Sequence, residues 1–241
     1  MTSTTSMTLP EQEDIPSAHQ DILAKLRGDR LTEMVRYSWL FPQDAVVELH
    51  LEPPLVFRRT VGPLVMSFAS GLVASFASLE ERASVTLWVE ADDQERRDQT
   101  AVTTDGPDLY PIDATNPGYS ESWLQELIGQ RVESIFVLTR DAMGAKDRDL
   151  PREVGLLFGF ANGQELILSH QLHEGAESFA IIRGEEIQSR WILHGKDISD
   201  GRIITDAEIR DGQWQHPRHP YPIEMPPPTI HQLTPKVRQP R

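Results

Sequence analysis

The stretch VGLLFGFANGQELILSHQL, residues 154–172, places two apolar runs on either side of Asn162-Gly163. Asn-Gly between apolar runs is a strong signal for a tight hairpin, because a type I′ turn needs positive φ at both central residues. We therefore predict two antiparallel strands, over residues 154–160 and 165–172. This hairpin makes antiparallel pairing the first expectation for the fold.

Apolar runs of similar length occur on both sides of this hairpin. One of them, residues 132–138, is apolar nearly throughout and is typical of a strand that is covered on both faces. The alternation of Val47, Leu49 and Leu51 with polar residues also predicts a half-buried strand. The remaining predicted strands cover residues 61–68, 72–79, 83–91, 178–184 and 189–195.

Short helices are predicted between these strands. The first begins at Pro16-Ser17 and ends at Gly28, with an extension through Leu31, Met34 and Val35 as an option. A second begins at Ser120 and ends at Gly129, with Trp123, Leu124, Leu127 and Ile128 as its apolar stripe. A capping box at Thr205 and Glu208 predicts a third, which ends at Gly212. The fold class is therefore α+β, mainly antiparallel β with a few short helices.

The two β-rich stretches resemble one another. Residues 61–71, VGPLVMSFASG, align with residues 154–163, VGLLFGFANG. Val47-Glu48 is matched with Val132-Glu133 upstream, and SVTLWVE is matched with SFAIIRG downstream. We interpret them as two related β-rich halves, and chance similarity of short apolar strands is the alternative.

Charge and proline content divide the chain further. Residues 90–121 contain nine acidic residues against two arginines and also carry three prolines, which indicates a long acidic connection without regular structure. Past Trp214 the chain has eight prolines and a local charge of +3. The predicted organisation is a disordered leader (1–16), an N-terminal half (17–91), an acidic connection (92–120), a C-terminal half (121–213) and a proline-rich tail (214–241).

Composition excludes several classes of protein. The 241 residues carry a formal charge of −14 and include no cysteine, so disulfides, thiolate metal sites and thiol nucleophiles are excluded. The acidic excess argues against a nucleic-acid binder, which needs a basic surface. The N-terminus has neither a basic nor an apolar signal region, and no apolar run is long enough for a membrane span. We therefore expect a soluble cytoplasmic protein that binds no membrane and no nucleic acid.

Motifs for catalysis are scarce in the sequence. It contains no Gly-x-Ser-x-Gly, Walker or Gly-x-Gly-x-x-Gly pattern. His170 and His173, with Glu174 and Glu177, come nearest to a metal site, but i and i+3 positions point to opposite faces of a strand, so we expect solvated loop histidines. No catalytic residue, metal or cofactor is predicted. The tryptophans at 39, 88, 123 and 191 lie in apolar patterns and are predicted to be core residues, with Trp214 as an anchor for the tail.

The acidic connection is the predicted binding surface. Its carboxylates and two tyrosines would present a negative face to a basic protein partner, because complementary potentials speed association. A loop that serves solubility alone is the competing interpretation. The predicted partner-binding residues are Asp92, Asp93, Glu95, Asp98, Asp105, Asp108, Tyr110 and Tyr119.

Residues 149–182, DLPREVGLLFGFANGQELILSHQLHEGAESFAII, resemble a segment of small bacterial proteins that include immunity proteins of polymorphic-toxin systems. The resemblance implies a cytoplasmic protein without chemistry of its own, which neutralises a cognate toxin by covering its active site. Two other functions stay open. One is a hydrolase that uses carboxylates with His170 or His173, and the other is an assembly component whose tail threads onto another subunit.

Overall fold

The computed structural model describes residues 15–79, 82–91, 109–140, 152–170, 179–183, 186, 193–197, 206–210 and 213–215. No helix within these ranges has the length and apolar character that a membrane span requires. Short 3-10 helices cover Pro16–His19 and Pro53–Leu55. The α-helices are α1 (Gln20–Leu26), α2 (Pro42–Glu48), α3 (Val56–Arg59) and α4 (Ser122–Gln125).

Strands dominate the described residues and form two sheets. The first sheet has the order β4-β3-β2-β1-β5, and the second has the order β12-β11-β10-β6-β7-β8-β9. Neighbouring strands are antiparallel throughout, which confirms the predicted α+β class with mainly antiparallel sheet. The strands are β1 (Leu31–Ser38), β2 (Leu64–Phe68), β3 (Val73–Leu79), β4 (Ser84–Ala91), β5 (Tyr110–Asp113), β6 (Val132–Arg140), β7 (Glu153–Phe160), β8 (Glu165–His170), β9 (Phe179–Ile182), β10 (Leu193–Asp197), β11 (Asp206–Arg210) and β12 (Gln213–Gln215).

The two sheets share one hydrophobic core. Side chains of β1 to β5 and of β6 to β9 belong to a single cluster, in which the rings of Phe76 and Phe158 meet edge to face with centroids 5.8 Å apart. The other face of the second sheet buries a smaller cluster that includes Leu138, Leu157 and Ile167. Strand β6 contributes to both clusters, so the prediction that it is covered on both faces is confirmed.

Reciprocal backbone hydrogen bonds join the sheets where β1 and β6 begin. The Gly28 N–H donates to Val132 O and the Gly129 N–H donates to Leu31 O, each at 2.7 Å. Arg30 and Arg131 form an isolated bridge between these bonds. Because each bond has a counterpart in the opposite direction, the joint has an approximate twofold character. Gly28 and Gly129 have φ of 85° and 86°, a conformation that is strained for residues with a Cβ.

The sheets resemble each other in topology as well. Strands β1 to β4 follow one another as a meander with β5 on the far side of β1, and β6 to β9 do the same with β10 beside β6. A bulge follows the first residue pair of β1 with β2, at Leu31, and of β6 with β7, at Val132. These likenesses agree with the predicted repeat, and a duplication of one ancestral unit stays a prediction. The counterpart of β6 is β1, however, so the match of Val47-Glu48 with Val132-Glu133 is wrong.

The predicted hairpin at Asn162-Gly163 is confirmed, but its turn type is not. Gly163 has φ of 80° and its N–H donates to Phe160 O at 2.8 Å, whereas Asn162 has no positive φ. The connection is therefore a type I turn followed by a left-handed glycine, which is the usual three-residue hairpin loop. The β2–β3 hairpin repeats this geometry, since the Gly71 N–H donates to Phe68 O at 3.0 Å.

Two expectations for the N-terminal half are wrong. The alternation at Val47, Leu49 and Leu51 predicted a strand, but residues 42–48 form α2. Pro42 favours the start of a helix, because its fixed φ is helical and the N–H that it lacks would have no partner in the first turn. The optional extension of the first helix is wrong as well. Gly28 turns the chain after α1, and Leu31, Met34 and Val35 lie in β1.

Two later segments also differ from expectation. The capping box at Thr205 and Glu208 predicted a helix, whereas residues 206–210 form β11, which pairs with β10 and β12. Pairing on both edges satisfies more backbone groups than an isolated turn of helix would. In the acidic connection, residues 110–113 form β5, since Tyr110 to Asp113 pair with the second half of β1.

Candidate functional site

The connection between β1 and β2 carries the exposed apolar surface of this protein. Every large hydrophobic side chain that is prominently exposed among the described residues belongs to it: Trp39 (59%), Phe41 (49%), Val47 (69%), Leu49 (40%) and Val61 (40%). We call these five side chains, together with Tyr110, the apolar face. Scattered exposed hydrophobics are ordinary on protein surfaces, whereas a set confined to one connection makes that connection the candidate interaction site.

Backbone and ring contacts hold the apolar face together. The Trp39 N–H donates to Val61 O at 3.1 Å, so these two residues are adjacent. The rings of Phe41 and Tyr110 are in contact, with centroids 3.7 Å apart and planes tilted by 31°. Tyr110 reaches this position because β5 pairs with the end of β1, where it lies opposite Ser38. Val47 follows Phe41 by less than two turns of helix, which is about 9 Å along the axis.

Local hydrogen bonds and close packing support the backbone beneath the apolar face. Ser38 Oγ accepts a hydrogen bond from the Leu40 N–H at 3.1 Å and donates to Leu40 O at 2.7 Å. Gly62 has φ of 135°, and a Cβ at this position would collide with the carbonyl oxygen of Tyr37. Phe57, in α3, is fully buried. The exposed aromatic rings therefore extend from an ordered backbone, which reduces the entropy lost on binding.

Acidic side chains border the apolar face. Asp44, Glu48 and Glu52 are exposed, and the segment from Trp39 to Glu52 contains no lysine or arginine. On α2, Asp44 lies three and four residues before Val47 and Glu48, so the two carboxylates flank the exposed valine. The segment from Trp39 to Glu52 thus favours a positively charged ligand.

Arg58 attaches this connection to the second sheet. It is 2% exposed, and its Nε donates to Ile181 O on strand β9 at 2.8 Å. Its two terminal nitrogens lie 2.5 Å from Glu121 and 2.6 Å from Glu186. The guanidinium also lies over the ring of Trp123, 5.5 Å from its centroid. Arg58 therefore satisfies a carbonyl at the edge of β9 and is neutralised at the same place.

Arg36 is also buried, but it has no acidic partner among the described residues. Its Nε donates to Thr60 O at 3.1 Å, its Nη2 to Thr60 O and, at 3.5 Å, to Phe179 O, and its Cζ lies 4.7 Å from the centroid of the Phe179 ring. Its Nη1 is buried without a hydrogen-bond partner there. Burial lowers the pKa of Arg36 to about 9. Arg36 on β1 and Arg58 in the β1–β2 connection thus both contact the edge of β9, and of the two only Arg58 has acidic partners among the described residues.

The predicted partner-binding residues do not all lie at the apolar face. Tyr110 lies on the apolar face. Tyr119 does not, because its half-buried side chain packs against the core and its carbonyl accepts the N–H of Phe57 at 2.9 Å. The six predicted acids lie outside the described residues: Asp92, Asp93, Glu95, Asp98, Asp105 and Asp108.

His170 is not the solvated loop residue that was expected. It ends β8, is 3% exposed, and its Nδ1 lies 2.6 Å from the hydroxyl of Ser78 on β3. This contact joins the two sheets across the core. His173 lies outside the described residues, within which no three histidine or acidic side chains are grouped to hold a metal ion.

Trp39 and Phe41 are the site residues that the sequence interpretation missed. The prediction that Trp39 is a core residue is wrong, whereas Trp123, at 3% exposure, is a core residue as predicted. The sequence does contain a signal, since Trp39-Leu40-Phe41 directly precedes the helix-starting Pro42 and an acidic segment. Two large aromatics in a loop, next to acids and away from a strand pattern, indicate exposure more than burial.

The chain matches no protein-family model, no curated protein and no solved structure.

Proposed function

We propose that this protein is a non-enzymatic partner-binding protein, and that the apolar face is where its partner binds. The observation that carries this proposal is the confinement of the five large exposed hydrophobic side chains to the β1–β2 connection. Exposed hydrophobic side chains reduce solubility, and their exposed surface does not contribute to the core. Tryptophan and other aromatic residues are also the side chains that supply most of the binding energy in protein interfaces.

The partner is a basic protein. Three exposed acids in the segment with Trp39 would meet positive charges at the rim, where charge pairs mainly raise the association rate. The aromatic side chains would supply the affinity through desolvated contacts. An immunity-type inhibitor that covers the active site of a cognate bacterial toxin fits this division, because a toxin that acts on an anionic substrate has a basic active-site surface.

Affinity capture with matched variants tests this proposal. The full-length protein is immobilised and exposed to an extract of its source organism at low salt. We expect one stoichiometric basic protein on the wild type and at least a tenfold loss with Trp39→Ser/Phe41→Ser. The control is Arg131→Ser, since the Arg131 side chain is 58% exposed and lies outside the apolar face. Equal capture by wild type and the double variant would overturn the assignment of the face.

The inhibitory role needs a second readout. The captured protein is expressed alone and together with each variant, and cell growth is measured. We expect growth arrest by the partner, rescue by wild type and Arg131→Ser, and no rescue by Trp39→Ser/Phe41→Ser. A captured partner that causes no arrest would contradict toxin inhibition and leave partner binding intact.

The acidic connection is proposed to guide the partner towards the face. Replacing Asp92, Asp93, Glu95 and Asp98 by Asn or Gln should slow association more than it speeds dissociation, because exposed charges act at long range. Stopped-flow or biosensor kinetics at two salt concentrations measure both rates. An unchanged association rate would show that this segment does not guide the partner.

A further inference from the structure

We propose that the proline-rich C-terminal segment of this chain, residues 216–241, binds the apolar face of the same molecule when no partner is present. This regulation rests on the proposed function, since the segment would compete with the partner for one surface. The segment lies outside the described residues, and its chemistry follows from the sequence.

The segment has the composition of a ligand for aromatic surfaces. It contains eight prolines, at positions 217, 220, 222, 226, 227, 228, 235 and 240. Proline fixes φ near the polyproline II value, so such a segment loses little entropy when it binds in an extended form. Polyproline segments are recognised by exposed aromatic rings with nearby acids, and Trp39, Phe41 and Tyr110 supply such rings here.

Charge favours the same pairing. The segment contains Arg218, Lys236, Arg238 and Arg241 against Glu224, a net charge of +3. Asp44, Glu48 and Glu52 supply three exposed negative charges beside the aromatic rings, without a lysine or arginine in that stretch of chain. The basic residues of the segment would therefore contact the acidic residues near the aromatic rings of the face. No other part of the sequence combines clustered prolines with a net positive charge of this size.

The tether is long enough to reach the face. The last described strand ends at Gln215, which leaves residues 216–241. In polyproline II form residues 216–225, which precede the proline run at 226–228, span about 31 Å, and the six strand spacings from β12 to β9 at the opposite edge of the second sheet amount to about 29 Å. A tether of this length gives the segment an effective concentration of about 1 mM at the face. An intrinsic Kd of about 0.1 mM between segment and face would then leave the segment docked in about 90% of the molecules.

Paramagnetic labelling of the full-length protein tests this proposal. Because the chain has no cysteine, Thr234→Cys creates a unique site for a nitroxide. The protein is grown with 5-fluorotryptophan, and the fluorine resonance of Trp39 is assigned with Trp39→Phe. We expect the oxidised label to broaden this resonance more than twofold relative to the reduced label at low salt. The broadening should not depend on protein concentration.

Two variants distinguish docking of the segment from broadening by a label that passes near Trp39 without binding. Phe41→Ser removes a ring of the face, and a triple substitution of Pro226, Pro227 and Pro228 by Ser removes the polyproline run. Both should reduce the broadening of Trp39 by more than half, since both sets of groups are needed for docking. Broadening that is absent, or unchanged in both variants, would overturn the proposal.

Broadening that grows with protein concentration would also overturn it, because the segment would then be binding a second copy. These measurements need no partner. A negative result combined with capture that depends on Trp39 and Phe41 would therefore remove the regulation and leave the proposed function standing. A positive result without any captured partner would leave the docking standing and remove its role as competition for a partner.

Discussion

The two sheets have closely similar frameworks but connect their first two strands differently. Arg36 lies opposite Leu64 on β2, and Val137 lies opposite Leu156 on β7. Both partners stand four residues before the phenylalanine that opens the hairpin. Arg36 and Val137 therefore occupy equivalent core positions, and both are fully buried. One sheet places a guanidinium where the other places a small apolar side chain.

This difference locates the specialised part of the molecule. The β1–β2 connection spans residues 39–63, whereas the β6–β7 connection spans residues 141–152. Arg36 is tolerated because the longer connection places Thr60 O within reach of it. The same connection carries the exposed side chains of the apolar face. The connection also supplies Ala45, Val56 and Phe57 to the shared core, so it combines core residues with an exposed apolar surface that the core does not require.

The strongest test of this comparison is Arg58→Met. Removing the guanidinium leaves Glu121, Glu186 and Ile181 O without their common partner, and breaking such a buried network costs about 3 kcal/mol. The free energy of unfolding from urea titration measures the loss. If the connection were only loosely attached to the second sheet, the stability would change by less than about 1 kcal/mol.

A matched surface pair supplies the control for Arg58. Arg131 lies 3.3 Å from Glu133 with its side chain 58% exposed, and such pairs contribute about 0.5 kcal/mol. Arg131→Met should therefore reduce the free energy of unfolding by at most that amount. Equal losses in the two variants would mean that burial adds nothing to the contribution of the Arg58 ion pairs.

A smaller effect is expected for Arg36→Met at pH 7. This arginine has no acidic partner among the described residues, so its replacement leaves no unpaired carboxylate within them. A buried charge without a partner is often replaced by an apolar side chain at no cost, so we expect the variant to lie within about 1 kcal/mol of the wild type by urea titration. A loss as large as that of Arg58→Met would contradict the electrostatic distinction between the two arginines.

The difference between wild type and Arg36→Met should also depend on pH. Burial lowers the pKa of Arg36 to about 9 in the folded state, far below its ordinary value in the unfolded chain, so above about pH 9 the unfolded state binds more protons. The wild type should therefore gain about 2 kcal/mol relative to the variant from about pH 8 to about pH 10.5. Urea titrations at both pH values measure this gain. A constant difference would mean that Arg36 keeps its proton and that an anion balances it.

Local patterns were enough to predict most strands. Turn glycines and apolar runs identified both hairpins, because these signals lie within a few residues of one another. The strand at residues 31–38 was missed, since its pairing with β2 and β5 involves distant residues. For the same reason, the capping box at Thr205 was misread, because the partners of β11 decide its conformation.

The candidate site was less predictable than the fold. Tyr110 was included, but for its place in an acidic segment and not for its contact with Phe41. Trp39 was assigned to the core because aromatic residues are usually buried, and nothing local reports that the β1–β2 connection turns it outward. Exposure depends on the packing of α3 and Gly62 beneath it, and that packing is decided by the whole fold.

A smaller effect than in the shared core is expected for Trp39→Ser. With 59% of its surface exposed, Trp39 buries less than half of its area, so the free energy of unfolding should fall by about 2 kcal/mol or less. Phe76→Ala, in the shared core, should instead cost about 4 kcal/mol. Urea titration of both variants measures the contrast. A large loss for Trp39→Ser would mean that this ring supports the connection, whereas a near-zero change leaves binding as the reason for its exposure.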